Sequence, residues 1–139
     1  MLDAAAARDR LLTDHEGVLR TTLRCADAVA ASWDAPHATD REQVVGPLRA
    51  ALQRTGVLPA LPDLLADAVA AAGGRLQAPP VAAPPYVTVT SRGPVLRATL
   101  PEGRLVVTLA VFAVERDPTR YVRGATTPEE ALEVAIRTS

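Results

Sequence analysis

No lysine and no asparagine occur anywhere in this chain, and all fifteen of its basic residues are arginine. Codon bias in a GC-rich genome produces that pattern, so arginine usage alone carries no function. There is a single cysteine, Cys25, which excludes an internal disulfide and suits a reducing compartment. Aromatic residues make up only 3% of the chain, so the core has to be packed from Ala, Val and Leu. Rings for stacking on bases are also scarce, and the net charge is only −1, so nucleic-acid binding is disfavoured. No window approaches the roughly 20 apolar residues of a membrane span. The first residues, MLDAAAARDRLL, carry acids and lack a long apolar core, so no secretory signal is expected and the cytoplasm is the expected location. A Gly-rich phosphate loop, a Gly-x-Ser-x-Gly elbow and a paired-cysteine zinc pattern are all missing.

What is present suffices for one domain. A chain of 139 residues, 48% apolar, can bury roughly two thirds of the surface its unfolded form exposes. Residues 1–74 hold seven Arg and ten acidic residues, and residues 75–139 hold eight and six. This asymmetry is small.

Residues 1–77 read as a helical layer. From Asp3 to Asp34 the apolar positions Leu12, Leu19, Leu23, Ala26, Ala30 and Trp33 recur at helical steps, predicting one long amphipathic helix. Gly17 costs about 1 kcal/mol there against Ala, so a neighbour packs closely or the helix breaks. Pro36 interrupts the pattern. Thr39 and Glu42 have capping-box spacing, opening a second helix from Asp40 to Gly56 with a kink at Gly46-Pro47. Pro62 suits the first position of a third helix running from Asp63 to Ala72 and ended by Gly73-Gly74. Short connections make the three helices antiparallel. Residues 78–85, APPVAAPP, form a stiff extended connector.

Residues 86–139 read as strand-rich. Tyr86 to Ser91 alternates, with Val87 and Val89 on one face. A turn at Arg92-Gly93-Pro94 leads to a strand from Val95 to Leu100, and Pro101-Glu102-Gly103 makes a hairpin. The longest strand, RLVVTLAVFAVE from Arg104 to Glu115, is apolar on both faces, so it belongs in the middle of a sheet, under cover, or across a dimer interface. Thr119 to Arg123 is a candidate fourth strand. Thr127-Pro128-Glu129-Glu130 opens a final helix burying Ala131, Leu132, Ala135 and Ile136, while the alternation of Leu132, Val134 and Ile136 keeps a terminal strand as the alternative. The expected fold is a single α+β domain over 1–139, helices packed on an antiparallel meander.

The run PPYVTVTSRGPVLRATL, with GRLVV, VERD, RYVRG and TPEEAL, resembles a family of short uncharacterised haloarchaeal proteins, and the helical half is similar as well. The resemblance covers most of the chain. It implies an archaeal source and no assigned activity.

Candidate sites are few. His15 and His37 lie near Asp14, Glu16, Asp34 and Asp40, but their spacing fits no metal-ligand motif, and a packed His15 bonded to a neighbour is the simpler reading. Cys25 is ten residues from His15, about 15 Å along a helix axis, too far for a thiol–imidazole pair within one helix. A small buried cysteine is the expected role. On the sheet, Thr88, Thr90 and Arg92 share a face, as do Arg97 and Thr99, and a suitable hairpin register adds Arg104 and Thr108. Hydroxyls and guanidinium forks suit phosphate or carboxylate groups, although Thr and Arg also fit an ordinary solvated strand. A second group, Arg116, Arg120 and Arg123, brackets Tyr121. The expected function is a non-enzymatic interaction module, binding a protein partner or itself through the sheet. The alternative is an enzyme that holds a small acidic ligand with Arg92, Arg97 and Arg104, and nucleic-acid binding comes third. No catalytic residue, metal or cofactor is assigned.

Overall fold

The computed structural model describes residues 1–138. Its first long helix is two. Helix α1 (Ala4–Asp14) is capped by Asp3, whose carboxylate accepts from the Ala6 amide at 3.0 Å, and α2 (Glu16–Ala31) follows after a break at His15. The expected continuous helix is therefore corrected. A Cβ added at Gly17 would meet nothing within 4 Å, so no neighbour requires this glycine, and the helix breaks two residues earlier, at His15. Breaking the axis lets Ala7 and Leu11 of α1, and Leu19, Leu23, Ala26 and Val29 of α2, all face one core.

After α2 the chain forms a two-residue strand, β1 (His37–Ala38), and a 3₁₀ turn at Arg41–Gln43. The cap of that turn is Asp40 rather than Thr39. Its carboxylate accepts from the Glu42 amide at 2.9 Å, and the Gln43 side chain accepts from the Asp40 amide at 3.2 Å. Helix α3 (Val45–Arg54) places Gly46 and Pro47 in its first turn, where a missing N–H costs nothing, so the expected kink is a helix start. Helix α4 (Val57–Ala71) begins well before the expected Asp63 and carries Pro62 in its interior. It buries Val57, Leu58, Leu61, Leu64, Leu65, Ala68 and Val69. A helix apolar on so many sides belongs inside; α4 packs on α1, α2 and α3 and on the sheet beyond. Those contacts outweigh the hydrogen bond that Pro62 forfeits.

Among the described residues seven strands form two antiparallel sheets. Strands β2 (Val87–Val89), β3 (Pro94–Leu100), β4 (Gly103–Leu109) and β7 (Leu132–Arg137) form one in that order. Strands β5 (Phe112–Glu115) and β6 (Arg120–Arg123) join β1 in the other, ordered β1, β6, β5. The expected single strand from Arg104 to Glu115 is thus two strands, divided at Ala110-Val111, where the chain passes from one sheet to the other. Its first part is central, between β3 and β7. Its apolar excess has a physical reason in the crossing, since Ala110, Val111 and Phe112 are all buried at the junction of the sheets. Gly93 makes that junction feasible: it has φ +139°, and a Cβ there would lie 1.9 Å from the Leu109 carbonyl oxygen.

The C-terminal segment is both of its expected alternatives in turn. Thr127 caps a single helical turn, α5 (Pro128–Ala131), and the chain then straightens into β7. Ala135 and Ile136 therefore sit in a strand, because the open edge of β4 offers a complete ladder of partners from Leu109↔Leu132 to Arg104↔Arg137. Arg8 of α1 donates to the Leu132 carbonyl and, at 2.6 Å, to the Glu129 carbonyl, tying this segment to the helices. Val87, Val89, Leu96, Ala98, Leu100, Leu105, Val107, Leu109 and Leu132 point inward and join the helix residues in one continuous core. The architecture is α+β, with helices on one face of the larger sheet.

Candidate functional site

The other face of the larger sheet is where the chemistry-bearing side chains collect. Side chains alternate across a strand, so the residues between the buried ones point away from the helices. On β3 these are Val95, Arg97 and Thr99; on β4, Arg104, Val106 and Thr108; on β7, Glu133, Ala135 and Arg137. Register fixes their neighbours. Thr99 lies opposite Arg104, and Arg104 opposite Arg137; Arg97 lies opposite Val106, and Val95 opposite Thr108. On the β2 side Tyr86 stands across from Arg97, whose amide donates to the Tyr86 carbonyl at 2.9 Å.

These residues line a cleft of about 660 Å³. Its floor is the sheet, and one wall is the chain entering β2, contributed by Leu76, Gln77, Ala78, Pro85 and Tyr86. Of the residues expected on this face, Thr90, Arg92, Arg97, Thr99, Arg104 and Thr108 all line it, whereas Thr88 is half-buried and does not. Two of them have structural employment. The Thr90 hydroxyl donates to the Gly93 carbonyl at 2.8 Å inside the β2–β3 turn, and Arg92 pairs with Glu133 at 2.9 Å.

Arg97, Arg104 and Arg137 are different. Among the described residues no carboxylate pairs with any of them. They come from three adjacent strands, and Arg104 and Arg137 occupy directly opposed positions, with Cβ atoms about 4.5–5.5 Å apart in such pairs. Like charges so placed repel each other. Arg104 and Arg137 thus stand together at one end of the sheet face, with Arg97 two residues along β3 between Tyr86 and Val106, and the apolar and aromatic side chains Tyr86, Leu76, Val95 and Val106 line the same cleft. Guanidinium forks without partners, next to the Thr99 hydroxyl, are equipped to bind an anion.

Arg137 is hidden from sequence reasoning, because the Thr127-Pro128-Glu129-Glu130 start favours a helix through a segment that is strand in the fold. The signal was there: alternation of Leu132, Val134 and Ile136 puts Glu133, Ala135 and Arg137 together on the opposite face. Alternation with Val87 and Val89 puts Tyr86 on the opposite face, and only the fold makes it part of a cleft wall.

The remaining candidates are employed elsewhere. His15 Nε2 lies 2.8 Å from Asp67 Oδ2, linking the α1–α2 break to α4, and Arg10 reaches the same carboxylate at 3.4 Å. Cys25 is buried, with its sulfur 3.4 Å from the Thr55 hydroxyl. Among the described residues no three His, Cys, Asp or Glu side chains come together in a way that could hold a metal ion. Arg123 pairs with Asp27 at 2.8 Å and donates to the Val111 and Ala125 carbonyls, fastening α2 to the smaller sheet, and Arg120 pairs with Glu115. No helix among the described residues is long and apolar enough to cross a membrane.

Fold and site together define an α+β domain with helices on one side of an antiparallel sheet and an arginine-lined cleft on the other. The chain belongs to the DUF7988 family, a domain of unknown function, which matches it over residues 5–137. No curated protein and no solved structure matches the chain.

Proposed function

We propose that this protein is a non-enzymatic binding module that takes an anionic group of its partner on the outer face of the larger sheet. The single observation behind this reading is the group of Arg97, Arg104 and Arg137, three arginines on neighbouring strands with which no carboxylate of the described residues pairs. A fold gains nothing by opposing two arginines, since like charges across a strand pair destabilise it by about 0.2–1 kcal/mol. A bound anion offsets that cost. Catalysis is the weaker reading, because Glu133, the one carboxylate in the outward rows, is engaged by Arg92 and leaves no free general base beside the arginines. Self-association through this face is opposed by its charge, as two copies would bring arginine against arginine. The buried free thiol of Cys25 suits a reducing compartment, so the cytoplasm is part of the same proposal.

The test is isothermal titration of the protein with an oligoglutamate peptide and, separately, with inorganic phosphate, each at low and high salt. Saturable binding of at least one anion is expected, weakened as salt rises and abolished in the double variant Arg97→Gln/Arg104→Gln. If neither anion binds saturably, the reading falls.

A further inference from the structure

We infer that the occupant of the cleft is a small phosphomonoester joined to a flat ring, of about the size of a nucleoside monophosphate. This rests on the anion-binding reading above and narrows it. Charge comes first. A single carboxylate has two oxygens, enough for one guanidinium fork, whereas a phosphomonoester carries about −1.5 to −2 charges and three terminal oxygens. Three arginines that no carboxylate of the described residues pairs with, Arg97, Arg104 and Arg137, with Thr99 opposite Arg104, match the second group and leave two forks idle around the first.

Shape is the second ground. The cleft has a volume of about 660 Å³, inside the range of about 300–1,000 Å³ typical of small-molecule sites. It is walled on the β2 side by residues 76–78 and 85–86, so an extended protein segment cannot lie flat across the sheet from edge to edge. Polarity is the third. Directly across the strand pair from Arg97 stands Tyr86, half-buried, and Pro85, Leu76, Val95 and Val106 continue the apolar surface around it. An anion held on the arginines would therefore extend its organic part over Tyr86. Stacking on a tyrosine ring suits a planar group, and the Gln77 amide on the same wall offers a donor and an acceptor to its edge.

The deciding experiment titrates the full chain with adenosine 5′-monophosphate, ribose 5-phosphate, inorganic phosphate and an oligoglutamate peptide. The proposal expects the nucleotide to bind at least about tenfold more tightly than inorganic phosphate, a difference of about 1.4 kcal/mol. Tyr86→Ala should remove that advantage and Tyr86→Phe, which keeps the ring, should retain it, while Arg104→Gln should abolish binding of both. Equal affinity for the nucleotide and inorganic phosphate, or an advantage that survives Tyr86→Ala, overturns the ring-bearing ligand while leaving the anion site standing. Binding of the peptide without binding of any phosphomonoester overturns the proposal in favour of an acidic protein partner. Failure of all four probes removes the anion-binding reading as well.

Discussion

Arg104 is the residue on which most depends, since register places it between Thr99 on one side and Arg137 on the other. A side chain kept for binding rather than for folding leaves a thermodynamic trace. Replacing Arg104 by Gln removes one of two opposed positive charges while keeping a long polar side chain on an exposed strand position. Thermal melts at low salt are expected to show Arg104→Gln more stable than the parent by about 0.2–1 kcal/mol, with the difference shrinking as salt is added. A variant that melts earlier at every salt concentration would show that Arg104 serves the fold. Arg123 makes the contrasting case. It has a carboxylate partner and donates to two backbone carbonyls, so its charge is already spent on holding elements together.

Among the elements, the turn of helix at Pro128–Ala131 is the smallest and the most dependent on its cap. The Thr127 hydroxyl accepts from the Glu130 amide at 3.2 Å and donates to the Glu130 carboxylate at 3.0 Å. Hydrogen bonds from Thr127 first, and from Thr126 next, hold the Glu130 carboxyl below its ordinary range. A carboxyl whose value is lowered by folding contributes stability above its unfolded value, and that contribution is lost as pH falls through the folded value. Thr127→Ala removes the cap and should cost about 1 kcal/mol near neutral pH, the usual worth of a helix cap. The gap between the melting temperatures of parent and variant should narrow as the solution is acidified past the ordinary carboxylate range. A gap that widens on acidification would contradict this.

At the scale of the whole molecule, helices and sheets share one core. Helix α4 touches three other helices and β3, and Trp33, at the end of α2, lies 5.7 Å between ring centroids from Phe112 of β5. Neither half can bury its apolar face without the other, so unfolding should be a single cooperative event. Far-UV circular dichroism reads chiefly the helices, and Trp33 fluorescence reads the boundary with the smaller sheet; their denaturation midpoints are expected to coincide. Leu65→Ala, at a fully buried position in α4, should shift both midpoints together by the equivalent of about 2–5 kcal/mol. Two separated transitions would mean that the helical layer and the sheets are independent units.

Much of this was written locally along the chain. Alternation in YVTVT and VLRATL, the hairpin at Pro101-Glu102-Gly103, the helical stripe through Leu19, Leu23 and Ala26 and the Thr127-Pro128 start each rest on a period or a turn preference that acts within a few residues. The α+β class and the shared face of Arg97 and Thr99 follow from those preferences alone, whereas Arg104 joins them through the hairpin register. What needed the folded chain were the choices that burial decides between distant segments. Pro62 lies inside a helix because the apolar surroundings of α4 outweigh one lost hydrogen bond, and Arg104 to Glu115 divides because two sheets meet at Ala110-Val111. Leu132 to Arg137 is a strand because β4 had an edge to be paired, and that pairing sets Arg137 opposite Arg104. A charge cluster gathered from three strands is a property of register, which no local pattern encodes.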